Sequence, residues 1–150
     1  MTAADTRRLL GPEDLELLAT AQFMIGREQD HLAALERAHE GYLEVGANLR
    51  AASCAFWIGM RLFLAGEVGR GGGWLARAGR LVESEGSDCP EAGYLLMPEV
   101  FRKEASGDLQ GASAAAAAAA EVGRRFDEIG RASVGKECIA VCRSRWSPYH

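Results

Sequence analysis

Between Cys54 and Ala65 every position except Gly59 and Arg61 is apolar. A helix over this stretch is apolar on nearly all sides and needs cover from more than one neighbour. Beyond a glycine-rich turn, Trp74, Leu75, Ala78, Leu81 and Val82 recur at spacings of three and four, the pattern of an amphipathic helix that packs back on the first. Upstream, Leu15, Leu18, Ala19 and Ile25, flanked by Leu17, Ala21 and Met24, predict a helix from about Pro12 to Ile25. Pro12 suits its first turn, Glu13 and Asp14 lie at the positive end of its dipole, and Gly26 is placed to end it. A further helix from about Gln29 carries Leu35, Ala38, Tyr42 and Val45 along one stripe and closes at Gly46.

These elements repeat. When Gly26, Gly66 and Gly107 are aligned, the position five residues on, where a small side chain is expected, holds His31, Gly71 and Ala112. Nine on stand Leu35, Leu75 and Ala116, and twelve on an alanine in every copy: Ala38, Ala78 and Ala119. Copies lie 40 and 41 residues apart, within the range of helical-hairpin repeats. Alanine recurs because the two helices of a hairpin approach closely only where a side chain is small. In the third copy Asp88 and Glu91 have the spacing of a capping box, so a helix starts at about Cys89, and Pro98 kinks or breaks it. Ala114 to Ala120 form the centre of a helix over 109–127. From Glu128 the glycine-alanine register is lost. A helix over 133–145 would cap the stack, or residues 129–150 are foreign to a helical-repeat domain spanning 1–128. The expected fold is all-α: a solenoid of about three stacked helical hairpins with room for a C-terminal capping helix.

Composition narrows the partners. The chain has 150 residues, 48% hydrophobic and 25% charged, with a net charge of −4. That size suits one domain with its own core. The charge gives no field that attracts nucleic acid or an anionic membrane. The N-terminus lacks the apolar core of a signal peptide, and the 54–65 stretch is short of the ~18 residues that span a bilayer, so a cytoplasmic protein is expected. Cys54, Cys89, Cys138 and Cys142 follow no framework spacing and are expected as reduced thiols. Cys138 and Cys142 stand one helical turn apart with His150 nearby in sequence, but zinc sites are marked by C-x2-C pairs. No metal or cofactor is assigned.

The stretches LGPEDLELLATAQFMIGREQDHLAALERAHEGYLEVG (10–46) and RAASCAFWIGMRLFLAGEVGRGGGWLARAGRLVE (50–83) resemble the tetratricopeptide-like repeat region of actinobacterial LuxR-type (MalT-like) transcriptional regulators. The resemblance continues more weakly through GDLQGASAAAAAAAEVGRRF (107–126). It implies a non-catalytic regulatory module. In that family such repeats bind partner proteins, the protein's own chain or small effectors, while a separate helix-turn-helix binds DNA. Nothing in this sequence reads as that motif, so direct nucleic-acid binding is carried over to no residue. The tail after Phe126 departs from the family pattern, as does His31 at a position that prefers alanine.

The candidate chemistry is sparse. His31 and His39 lie eight apart, ~12 Å along a helix, too far to chelate together, and neither has a nucleophile placed beside it by sequence. They read as structural or solvent-facing histidines, and no catalytic residue is assigned. Gly66 to Trp74 opens a helix with glycines, yet lacks the Lys-Ser/Thr of a P-loop and follows a helix rather than a strand. Close packing explains these glycines better than an anion site. Phe56, Trp57, Met60, Phe63 and Trp74 read first as core. Arg61, alone among uncharged neighbours, either reaches solvent or pairs with a carboxylate. The residues left to bind a protein or peptide segment are Arg61, Arg70, Trp74, Trp57 and Tyr94. Self-association through an uncovered repeat end is a further expectation. A small-molecule sensor with a pocket walled by Phe56, Trp57, Met60 and Tyr94 is the alternative, and an enzyme ranks third.

Overall fold

A computed structural model of the chain describes residues 10–130. They form α1 (Pro12–Met24), α2 (Glu28–Glu44), α3 (Asn48–Leu64), α4 (Val68–Ser84), α5 (Pro90–Tyr94), α6 (Met97–Ala105) and α7 (Leu109–Gly130). The fold is all-α, with no strand among the described residues. The chain divides into two compact units, one ending at Leu95 and the other beginning at Leu96.

One turn, used repeatedly, sets the geometry. Gly26, Gly46, Gly66, Gly86 and Gly107 all have φ between 73 and 91°, a left-handed conformation in which a Cβ would crowd the backbone. After each, the next residue's N–H reaches back to the last turn of the helix: Arg27 to Gln22, Ala47 to Tyr42, Glu67 to Leu62, Ser87 to Val82 and Asp108 to Lys103, at 2.8–3.0 Å. These are Schellman closures. At four of the five turns the same residue also starts the next helix, because its carbonyl accepts the first helical N–H, from His31, Ala51, Gly71 and Ala112 respectively. One residue thus ends one helix and begins another, so the chain reverses within three residues. α2, α3 and α4, 17 residues each, therefore repeat every twenty.

The residue five after each of those four glycines lies in the first turn of its helix, against the preceding one. His31, Ala51, Gly71 and Ala112 are all buried there. The alanines twelve after the glycines are buried in the first two copies, Ala38 and Ala78, and half-buried in the third, Ala119. After Gly86 the pattern fails: Cys89 is extended and Pro90 opens only a five-residue helix. Its N-cap is Cys89, one residue after the Asp88 of the expected capping box, and Cys89 makes no side-chain cap hydrogen bond. The break expected at Pro98 falls just before it, since α6 starts at Met97 with the proline in its first turn.

α3 is the centre of the first unit. It contributes Ala51, Cys54, Ile58 and Leu62 to a core shared with Leu15 and Ala19 of α1 and Ala34, Leu35, Ala38 and Tyr42 of α2. Its opposite flank buries Ala55, Phe56 and Met60 against Ala78 of α4, and Ala52 against Val82 and Cys89. An apolar helix is thus covered from several sides, as its composition requires. Ile25 and Val45 depart from the expected stripes: each is the C-cap of its helix and is exposed. Leu17, Ala21 and Met24 also face outward on α1.

The second unit contains α6 and α7, joined through Ser106, Gly107 and Asp108. Asp108 Oδ1 accepts the Gly111 N–H at 2.9 Å, and that bond, together with Lys103, holds its carboxyl below the usual range. Ala112 is buried, whereas Ala116 and most of the alanine run are exposed. The helix expected over 133–145, the Cys138–Cys142 pair and His150 lie outside the described residues.

Candidate functional site

Arg61 projects from the last turn of α3 across to the first turn of α2. Its Nε and Nη2 donate to the two Glu28 carboxylate oxygens at 2.8 and 2.7 Å. Its guanidinium also lies over the Phe23 ring, 4.9 Å from the centroid, and Phe23 in turn packs on His31. Of the two readings open to a lone charge, Arg61 takes the paired one, and it joins the first hairpin to α3. The bidentate bond holds the Glu28 carboxyl below the usual carboxylate range. A depressed carboxyl pKa adds stability above the unfolded value, and that stability is lost as pH falls through the folded value. Both side chains are partly exposed, so the effect is small. E28Q is expected to flatten the loss of thermal stability below about pH 4.5 and leave the neutral melting temperature within a few degrees. An unchanged acid profile in calorimetry would remove this role.

At the other end of the same helices, Glu16 of α1 accepts from three groups. Tyr42 Oη and Arg50 Nη2 both donate to its Oε2, and Cys54 Sγ lies 3.7 Å from Oε1. Burial pushes the Cys54 thiol up to about 12, with the Glu16 carboxylate adding to the rise. A thiol held protonated in this way is a poor nucleophile. Burial, then Glu16, likewise raises the Tyr42 phenol. The cluster is a tie between α1, α2 and α3. Nothing in the spacing of Glu16, Tyr42, Arg50 and Cys54 marks it in the sequence, because it depends on three helices meeting.

Both histidines sit in packing. The His31 Nδ1 is 2.8 Å from the Ala19 carbonyl. His39 is fully buried, with Nδ1 2.8 Å from the Ala51 carbonyl and its ring edge-on to Trp74 at 5.3 Å. Each Nδ1 faces a carbonyl and so carries the proton and donates. Among the described residues the buried His39 Nε2 has no hydrogen-bond partner.

The aromatic candidates pack on one another. Phe56 is buried, its ring 5.7 Å from Tyr94 in a stacked contact and 5.1 Å from Trp57 edge-on. Trp57 and Tyr94 are the half-exposed rim of that group, at 47% and 43%. Met60 is buried beside it in the same core.

The outer face of α4 is different in kind. Arg70, Gly73, Trp74, Arg77 and Arg80 line a shallow, open depression of about 270 Å³. They fall at helical spacings of three and four, so one face carries all five. Arg70 pairs with Glu67 one turn back at 2.6 Å. The Arg77 guanidinium lies over the Trp74 indole, 4.7 Å from its centroid. Trp74 also packs inward against two of the cores, which fixes the side chain at the lining of the depression. Comparisons with protein-family models, with curated proteins and with solved structures found no match. The expected site residues therefore separate by geometry. Arg70 and Trp74 come together on α4, Trp57 and Tyr94 come together around Phe56, and Arg61 joins neither group. Arg77 and Arg80 were not expected. The only signal for them was their helical register with Arg70 and Trp74. Among the described residues no group of three or more His, Cys, Asp or Glu side chains is placed to hold a metal. No described helix is long and apolar enough to cross a membrane.

Proposed function

We propose that this chain is a non-catalytic helical-repeat module that binds a protein or peptide segment, in the manner of the tetratricopeptide-like region of LuxR-type (MalT-like) regulators. The reading draws on the resemblance of residues 10–46 and 50–83 to that region and on the repeated hairpin turn. The observation that carries it is the α4 face, where an inward-anchored Trp74 is flanked by exposed arginines around an open depression. Tryptophan and arginine, held rigid and partly desolvated, are the side chains that dominate protein-binding hot spots. In a regulator of this kind, occupancy of the repeat surface would bias an attached effector domain.

Peptide display against the immobilised protein tests this reading. Short peptides are expected to be enriched on the wild-type chain and lost on R70S/R77S, whose substitutions lie on the exposed face and leave the core intact. Absence of enrichment, or enrichment equal on both proteins, would count against the module and against this face respectively.

A further inference from the structure

We propose that the α4 face takes an acidic peptide segment, with carboxylates on Arg77 and Arg80 and an apolar side chain beside Trp74. This rests on the reading of the chain as a peptide-binding module and narrows it to one class of partner.

Charge is the first ground. The chain has more acidic than basic residues, 21 against 17, yet every charged side chain lining this depression is an arginine. Arg70 is partly neutralised by Glu67. Arg77 and Arg80 make no ion pair among the described residues. Arg77 instead lies over the Trp74 ring, 4.7 Å from its centroid, and is exposed, and a guanidinium can meet a carboxylate through two parallel hydrogen bonds.

Surface relief is the second. A Cβ built on Gly72 or Gly73 meets nothing within 4 Å. Among the described residues their small size therefore serves no packing, although each costs about 0.5–1 kcal/mol of helix stability relative to alanine. Gly73 lies in the depression itself and keeps the approach to the indole low.

Scale is the third. From Arg70 to Arg80 the helix rises ~15 Å, the reach of about five extended residues. A short segment can therefore span the whole stripe. A nucleic acid needs a longer basic track to neutralise several phosphates, and the net charge of −4 opposes its approach.

The test is fluorescence anisotropy of a fluorescein-labelled peptide of alternating glutamate and leucine, with the full chain at low ionic strength. Its glutamine-for-glutamate counterpart and an oligothymidylate of equal charge serve as competitors. The acidic peptide is expected to bind at least about tenfold more tightly than the glutamine peptide, to weaken with added salt, and to lose about tenfold in affinity on R77S/R80S. Circular dichroism is expected to show that double variant as helical as the wild type. Equal binding of the glutamine peptide, tighter binding of the oligonucleotide, or an unaffected R77S/R80S would overturn the proposal. Salt-sensitive self-association abolished by R77S/R80S would assign the face to a second copy and overturn it too. The two readings fail separately. Display that enriches neutral peptides dependent on Arg70 and Arg77 keeps the module and removes the acidic partner, whereas no enrichment removes both.

Discussion

Gly71→Ala is expected to destabilise the first unit by about 1–3 kcal/mol, although alanine is the better helix former by about 1 kcal/mol. A Cβ at Gly71 would stand 2.8 Å from the Gly59 carbonyl oxygen and 2.8 Å from the Phe63 nitrogen. Both are backbone atoms of α3, so no side chain can rotate away, and the two helices must part along their contact. Parting opens the seam where Ala55 and Phe56 meet Ala78 and Leu75, and dispersion contacts there weaken steeply with separation. Gly72→Ala is the matched control. Its Cβ meets open space, so the helix-propensity gain of about 0.5–1 kcal/mol is expected undiluted. Urea unfolding followed by circular dichroism measures both. Stabilisation by both alanines alike would mean that α3 and α4 do not approach through Gly59 and Gly71.

Phe56→Ala is expected to cost more, about 3–5 kcal/mol, as for a large buried ring replaced by a cavity. Phe56 is buried at 2% exposure, packs with Met60 and Ala78, and supports the rings of Trp57 and Tyr94. Tyr94→Ala removes a half-exposed ring and is expected to cost markedly less, because much of that surface is already in water. Thermal melts compare the two, and Trp57 emission is expected to shift to the red in Phe56→Ala as its neighbour disappears. A Tyr94→Ala cost equal to that of Phe56→Ala would place the weight of the cluster on α5 instead of α3. A filled cluster of this kind also bears on the small-molecule alternative, since Phe56 and Met60 are spent on packing rather than on the wall of an open pocket.

Much of the architecture was readable along the chain because its determinants are local. A left-handed C-terminal residue favours glycine, so Gly26, Gly46, Gly66, Gly86 and Gly107 announce the turns by residue type alone. After each of these except Gly86, the buried position five residues later follows from helical geometry once the turn is known. Overcounting came at the ends. Ile25 and Val45 continue the apolar period, but a C-cap residue sits where the partner helix has already turned away, so periodicity places it in a stripe that packing does not cover. The helix expected to start at about Cys89 does so, with an extended Cys89 as its N-cap and Pro90 in its first turn, but it lasts only five residues.

The candidate site was only partly legible. Arg70 and Trp74 stand four apart on one predicted helix, and that spacing alone put them on a common face. Arg61 could be read only as a choice between solvent and a carboxylate, since Glu28 lies 33 positions away in sequence. Glu16 with Tyr42, Arg50 and Cys54 had no sequence signature at all, because the cluster exists only where three helices converge. Taken alone, the sequence determined the all-α class, the positions of the turns, the twenty-residue helical rhythm and the apolar character of the central helix. Those follow from backbone conformations and from periodicities that a single segment carries within itself. Tertiary structure decided that Gly71 is needed for contact while Gly72 and Gly73 face open space. It also decided that Arg61 is held by Glu28, and that Arg77 and Arg80 gather with Arg70 and Trp74 around one depression. Such distinctions depend on which neighbour a side chain meets, and only the packing of one helix on another supplies that neighbour.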